Sequence, residues 1–519
     1  MSQIPYRANL SASTWPFLIS NAGRTVIVRG QDQNYVNPIA SQEDSDKDIG
    51  VPQIIYCHNV LPTADGFQAV DYNTVVASAA FLLAGDTFQD TVPVYSATGD
   101  VAYLAITTGG KLLYYRAPNS TWTLMSEIVG LAGKAMTVAR VAGVTYIYFA
   151  NIGCYTFNFT TNVLEPVTLN GLDPLLVLGI LNSQGYMIAY TQDAIAWSSL
   201  VDPTDFEPSL ATGAGGGNLE QIRGTVVACV YTVTGFIIYS TVNAVVALYS
   251  GNDRYPFNFR EIAFSGGLID VATVTDESNA GFHYAYTTSG LQQIAPQETK
   301  SIFHELTDFL SSKTYDDVNA DTLAISTTTL ASAIYKSLAI VADRYLVISY
   351  GYPGPSHAIV YDMVMKRFGK LKLAHIKVFE WWGHELADTD RVKTSFALLQ
   401  ETGEVLTVNF SRAVGSATIP TAAAATLFLG KFQLVRSRFT NLHSVEVENV
   451  HSGQPFSLRD LPTLDGKNFT TPIFGTENTI SNPAKKFYFR VSAQNHTLAA
   501  TGKFELTSIQ LFLSSGGKR

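Results

Sequence analysis

Two HELxD strings, His304 to Asp308 and His384 to Asp388, are the first places where residue type and spacing could do chemistry. A zinc-binding helix of the metalloprotease kind needs a second imidazole one helical turn after the first. Both strings put an aspartate there, so they predict polar turns and no metal. The segment SQEDSDKDIG, Ser41 to Gly50, sets Asp44, Asp46 and Asp48 in the alternation of a calcium loop. Its glycine falls one place late, and Ile55 stands where the closing Glu belongs, so an exposed acidic loop is expected instead. TGAGGGN, Thr212 to Asn218, carries Gly215, Gly216 and Gly217 but not the following Lys and Ser or Thr that a phosphate loop uses. It reads as a flexible loop.

The remaining reactive types are equally unproductive. Cys57, Cys154 and Cys229 are scattered and odd in number, which predicts small buried apolar groups and neither a disulfide framework nor a thiolate metal site. A GxSxG nucleophile elbow is absent, and so is the repeated SxDxGxxW turn of sialidases. Trp381 and Trp382 could stack a sugar or a base, but neighbours on a strand point to opposite faces, which favours packing. The expectation is a chain without catalytic residues, metal or cofactor, and not an enzyme.

The elements that position these residues repeat. YLAITTGGKLLYY begins at Tyr103, YIYFANIGCYTFN at Tyr146, YMIAYTQDAIAWS at Tyr186 and FIIYSTVNAVVAL at Phe236. YAYTTSGLQQI follows at Tyr284, YLVISYGYPGPSHAIVYD at Tyr345 and FALLQETGEVLTVNF at Phe396. Each is an apolar run, a short polar turn and a second apolar run, the pattern of a β-hairpin. Their spacing of roughly 40 to 60 residues suits four-stranded propeller blades. The predicted fold is all-β: a β-propeller of six or seven blades over residues 51–410, then a linker over 411–430 and an antiparallel, sandwich-like β domain over 431–519. Residues 1–50 are expected to form an arm, with RTVIVRG, Arg24 to Gly30, as a strand able to close the ring. Ile302 to Val318 is the best helical candidate, with Ile302, Leu306 and Leu310 at helical spacing.

Composition agrees with an assembly protein. Apolar residues make up 46% and charged residues 15%, against roughly 25% charged in ordinary soluble proteins, so much of the surface is expected to meet protein. Phe and Tyr number 29 and 26 against 6 Met, a β-forming bias. A net charge of −9 excludes a chain that grips phosphates, but suits a wall that a polyanion must pass without sticking. The N-terminal stretch lacks the apolar core of a secretion signal and no run is long enough to span a membrane, so folding in a cytoplasm is expected.

One stretch is more distinctive than the repeat. AWSSLVDPTDFEPS, Ala196 to Ser209, contains Trp197 and Ser198 followed by Asp202 and Pro203. TGAGGGNLEQIRG then leads through Arg223 and Gly224 into GFIIYSTVNAVVALYSG and PFNFREIAFSGGLI, and CHNVLPTADGF, Cys57 to Phe67, precedes the repeat. Together these resemble the tail nozzle and packaged-DNA stabilisation proteins of short-tailed bacteriophages, most clearly over residues 50–270. The resemblance implies a virion tail protein assembled in the host cytoplasm: a homohexameric ring around a DNA exit channel, touching tail adaptor and portal proteins, with tail fibre or needle proteins beyond. It also implies a gate that retains packaged DNA until ejection. Candidate lumen loops are Asp44, Asp46 and Asp48, then Gly215, Gly216 and Gly217, then Tyr352 and Pro353 in YGYPGPSH. The rival reading is a carbohydrate-binding or carbohydrate-degrading propeller of a phage tail, which would need carboxylates clustered on one face.

Overall fold

Every paired run in the sequence is an antiparallel strand pair. Val101–Thr107 pairs with Leu112–Tyr115, Val144–Phe149 with Gly153–Asn158, and Tyr186–Tyr190 with Ala194–Trp197. Gly235–Ser240 pairs with Ala244–Tyr249 and His283–Thr287 with Gly290–Ile294. Tyr345–Gly351 pairs with His357–Asp362 and Ser395–Leu399 with Val405–Asn409. Tyr186–Tyr190, Gly235–Ser240 and Tyr345–Gly351 are buried along their whole length. A strand covered on both faces has no polar side to alternate with, which is why these segments read as continuous apolar runs. The structure, a computed structural model, describes residues 4–9 and most of 54–518; the longest stretches left undescribed are 10–53, 382–394, 410–424 and 464–471.

Flanking strands extend each pair into a sheet. The first sheet adds Phe88–Tyr95 and Thr123–Leu124, the second Met136–Val141 and Val163–Val167, the third Gly179–Ser183 and Gly215–Asn218, and the fourth Val226–Thr232 and Phe257–Ile262. The fifth adds Thr299–Ser301 outside, and on its inner side Val274 bridges to Ala285. The sixth adds Tyr335–Val341 and Arg367–Lys372. The seventh has Lys377–Trp381 inside, and its outer strand is Asp71–Val76, brought from far upstream in the chain.

Each sheet packs face to face on the next. Leu104 and Ile106 meet Ile147 and Phe149; Tyr148 and Cys154 meet Met187 and Ala189; Ile188 meets Phe236 and Ile238; Tyr239 and Val246 meet Ala285 and Ile294. Tyr284 and Leu291 then meet Ile348 and Ile359, and Val347 and Val360 meet Phe396 and Leu398. Finally Phe379, Trp381 and Ala397 of the seventh sheet pack against Tyr103 and Leu113 of the first. Sheets that pack in sequence and return to the start need no exposed sheet face, and the chain is an all-β protein of the β-propeller class.

A hydroxyl recurs at the turn between second and third strands. Thr191 Oγ1 accepts the amide of Ala194 at 3.0 Å, Ser240 Oγ that of Asn243 at 2.9 Å, and Thr287 Oγ1 that of Ser289 at 3.1 Å. Side-chain caps of this kind satisfy turn amides that no strand reaches.

Apart from the separate hairpin of Thr314–Val318 and Ile325–Thr329, the remaining strands form two further layers. Ile54–His58, Thr426–Phe432, Asn495–Gly502, Phe456–Thr463 and Ile473–Phe474 make one sheet. Ile4–Asn9, Glu505–Lys518, Arg438–Asn449, Ala484–Ala493 and Thr476–Thr479 make the other, and the short hairpin of Val60–Pro62 and Phe67–Ala69 joins it to the sixth sheet of the ring. Leu427, Leu458 and Leu498 of the first layer share a buried cluster with Val445, Phe487 and Leu511 of the second and with Leu346, Ile348 and Tyr350 of the ring.

Several expectations change. The helix is His304–Ser311, with Leu306 and Leu310 buried, and Thr314–Val318, expected to continue it, is a strand. Its β-branched and aromatic residues, Thr314, Tyr315 and Val318, favour a pleated surface. Within 411–430, residues 426–430 begin a strand of the appended layers; residues 410–424 and Arg24 to Gly30 lie outside the described residues.

Candidate functional site

The first strands of neighbouring sheets approach one another, and so surround the ring axis. Phe88–Tyr95 buries Phe88, Val92 and Val94 while Asp90 is half-buried, and Lys377–Trp381 buries Val378, Phe379 and Trp381 while Lys377 is half-buried. Lys377 Nζ lies 2.5 Å from Asp90 Oδ1 and donates to the Thr91 carbonyl at 2.8 Å, tying the seventh sheet to the first. Asp276 follows the Val274 bridge on the inner side of the fifth sheet and lies within electrostatic reach of Lys377. Enclosure pushes its carboxyl up, and the Lys377 ammonium opposes this. Asp90 and Asp276 thus both act on Lys377, a small charged cluster whose members are isolated polar residues far apart in the sequence. Among the described residues, no three metal-ligating side chains converge.

A second group of ionisable residues lies where the ring meets the appended layers. His58, His357, His375 and Lys370 are all nearly inaccessible. His357 stands opposite both Tyr350 and Lys372 in the sixth sheet, and its ring stacks on Tyr350 with centroids 5.4 Å apart. Burial drives the His357 imidazole well below the ordinary histidine range, and Lys370, Lys372, His58 and His375 add to the effect. His375 is pushed down to about 4 by burial; its Nδ1 donates to the Leu373 carbonyl at 2.7 Å, leaving Nε2 to accept the Ser349 hydroxyl at 2.8 Å.

The residues singled out in the sequence do not converge. Trp197 ends the third strand of the third sheet, its indole donating to the Gly213 carbonyl at 3.0 Å. Ser198 is fully buried and its Oγ accepts the Met187 amide at 3.0 Å. Asp202 accepts the Thr204 amide and hydroxyl at 2.9 and 2.8 Å, which holds its carboxyl below the usual range and fixes the turn through Pro203. Arg223 and Gly224 lie at the opposite end of the ring, where the Arg223 amide donates to Asn243 Oδ1 at 2.9 Å and its guanidinium pairs with Glu261. Gly224 adopts φ +81°, and a Cβ there would sit 2.4 Å from Thr241 Oγ1. These are turn-building residues on two different faces.

Gly215, Gly216 and Gly217 correct the sequence reading: with Asn218 they form the outer strand of the third sheet, paired with Ala194–Trp197, and not a flexible loop. Glycine suits it because a Cβ on Gly215 would lie 3.0 Å from the Trp197 ring and one on Gly216 2.5 Å from the Ile195 carbonyl oxygen. Asp44, Asp46, Asp48, Tyr352, Pro353 and the string from His384 to Asp388 lie outside the described residues. His304 and Asp308 fall on the short helix, not in the polar turn expected.

The arrangement is a propeller with a charged cluster among its inner segments and a buried basic joint. No known family and no curated protein matches the sequence. Solved structures with a similar chain path include "YCF48 bound to D1 peptide", with a TM-score of 0.40 and 10% identity, covering 66% of this chain and 97% of that one. The WD40 β-propeller domain of Doa1 gives a TM-score of 0.40 and 9% identity, covering 67% of this chain and 99% of that one.

Proposed function

We propose that this chain is a non-catalytic structural subunit of a short-tailed bacteriophage tail, a nozzle protein that forms part of the DNA exit channel and holds packaged DNA until ejection. In this reading the ring has seven blades, the appended layers form a β-sandwich, and copies assemble as a hexamer that meets adaptor or portal proteins above and fibre or needle proteins below. The observation that carries it is the single buried cluster shared by the ring and both appended layers, which makes a stiff body suited to a load-bearing wall. Exposed apolar side chains occupy both ring faces: Val129, Leu175, Leu176 and Ile269 on the connectors between sheets, and Val201, Leu210, Val233 and Tyr255 on the opposite loops. Val129 and Val201 are each 93% exposed, a cost in water that burial against other subunits removes.

Mass spectrometry of purified particles is expected to detect the chain, and cryo-EM of the tail to place it around the channel. A chain absent from particles, behaving as a lone monomer that releases sugar from host capsule or lipopolysaccharide, would overturn the proposal in favour of a carbohydrate-active propeller.

A further inference from the structure

The basic joint invites a question independent of the role in a tail: why histidines and lysines from separate elements are buried together. His58 ends the strand Ile54–His58 of the appended layers, which lies against the ring strand Arg367–Lys372. Cys57, next to it, senses the Lys370 ammonium. Lys370 lies over the Tyr350 ring at 5.9 Å, and His375 reaches Ser349 from the connector to the seventh sheet. The charged groups that act on His357 are therefore Lys370 and Lys372 on its neighbouring strand, His58 from the appended layer and His375 from the connector, while its Nδ1 shares a 2.8 Å hydrogen bond with the Ser356 hydroxyl. A proton added to His357 would enter a dry site already bordered by ammonium groups, and relief would come from parting the layers.

We propose that this joint is an acid-sensitive latch, closed while His357 is neutral and released when it gains a proton, so that the strand Ile54–His58 separates from the sixth sheet. The sign follows from linkage. A histidine whose folded pKa lies below its ordinary 6.5 favours the closed state fully above that value, and the advantage is lost as pH falls beneath it. With one proton taken up on opening, the opening equilibrium constant rises about tenfold for each pH unit.

Hydrogen exchange of the full-length chain, corrected for intrinsic rates, tests this between about pH 7.5 and about pH 5. Protection at Ile54–His58 and Arg367–Lys372 is expected to fall about tenfold per pH unit below the histidine range, while Tyr186–Tyr190 and Ala194–Trp197 keep theirs. His357→Gln should flatten the response. Should that variant fail to fold, Lys372→Met serves instead: with one repelling charge gone, opening should need a lower pH. Acid opening that persists unchanged in both variants would overturn the latch. So would protection lost equally around the ring, since His283, pushed down to about 3 by burial between the fourth and fifth sheets, would then account for it.

Discussion

Asn59 Oδ1 accepts the Tyr72 hydroxyl at 2.7 Å, joining the residue that leaves the appended layer to the strand that completes the ring. The same oxygen accepts the Lys372 amide at 2.8 Å, and Asn59 sits fully buried at φ +50°. One short side chain thus links three segments distant in sequence.

Tyr72→Phe removes one of the two hydrogen bonds and leaves the Asn59 oxygen satisfied by Lys372, so it should cost about 1 kcal/mol. Asn59→Ala strands both donors and forces alanine into the left-handed region, for about 3 kcal/mol. Chemical denaturation of the two variants is expected to separate them in that order; equal losses would show that the amide does no more than fill space.

Trp381 stacks on Tyr103 with ring centroids 4.7 Å apart and planes 11° from parallel, where the seventh sheet closes on the first. Tyr115 and Phe379 complete the aromatic contact. Trp381→Ala should cost roughly 3 to 5 kcal/mol through the cavity it leaves. A thermal midpoint that falls by several degrees is the expected reading, and an unchanged midpoint would mean that ring closure does not limit stability.

How much of this was legible follows from burial. Runs such as Tyr186–Tyr190 and Gly235–Ser240 announce themselves because both faces are covered, so the middle strand pair of each sheet is visible in the sequence. The inner strand Phe88–Tyr95 mixes Gln89 and Asp90 with Phe88 and Val92, since one side faces the axis, and it carries no hairpin signal. The outer strand Gly215–Asn218 is hidden for another reason: its glycines are selected by the nearby Trp197 ring and Ile195 carbonyl, a tertiary demand that local propensity opposes. The charged cluster and the basic joint carry no local spacing in the sequence. Asp90 and Lys377 meet only once the seventh sheet closes on the first, and His58 reaches His357 and His375 only once the appended layer packs on the sixth sheet.

Asn243 and Arg223 distinguish a packing role from a binding role for the Arg-Gly step. Asn243 Oδ1 accepts the Arg223 amide and the Ser240 hydroxyl, and its Nδ2 donates to the Gln221 carbonyl at 2.9 Å. Asn243→Ala should therefore cost about 2 to 3 kcal/mol. Arg223→Ala keeps its backbone bonds and loses an exposed ion pair, so the thermal midpoint should barely move. If, under the proposed tail role, Arg223→Ala also leaves particle assembly intact, the step is structural; assembly lost at unchanged stability would make it a contact residue.

Asp460 and His496 meet at 2.8 Å between Oδ2 and Nδ1, both sealed from solvent, while His496 Nε2 donates to the Thr440 carbonyl at 2.8 Å. Burial pushes the Asp460 carboxyl up, and its bond with His496 opposes the shift. A carboxyl raised on folding stabilises the fold most below the ordinary carboxylate range and loses that contribution as pH rises through the raised value. Asp460→Asn, neutral throughout, should gain on the wild type as pH rises, whereas Asp460→Ala strands Nδ1 and should cost about 2 to 3 kcal/mol. Denaturation at several pH values checks both; parallel pH profiles for wild type and Asp460→Asn would contradict the assignment.

Gly216 and Gly217 are neighbours on one strand and should respond oppositely to a methyl group. A Cβ on Gly216 would stand 2.5 Å from the Ile195 carbonyl oxygen and 2.9 Å from the Ala196 Cα, atoms of the backbone that cannot turn aside. On Gly217 it meets nothing within 4 Å. Neither glycine uses a positive φ, so sterics alone separates them. Gly217→Ala should be neutral or stabilise by up to about 1 kcal/mol, since alanine loses less freedom on folding. Gly216→Ala must push Gly215–Asn218 off the sheet or distort it, at about 2 kcal/mol or more. Thermal denaturation of the pair tests whether the triple glycine is a paired strand: were the segment a loose loop, both alanines would be equally harmless.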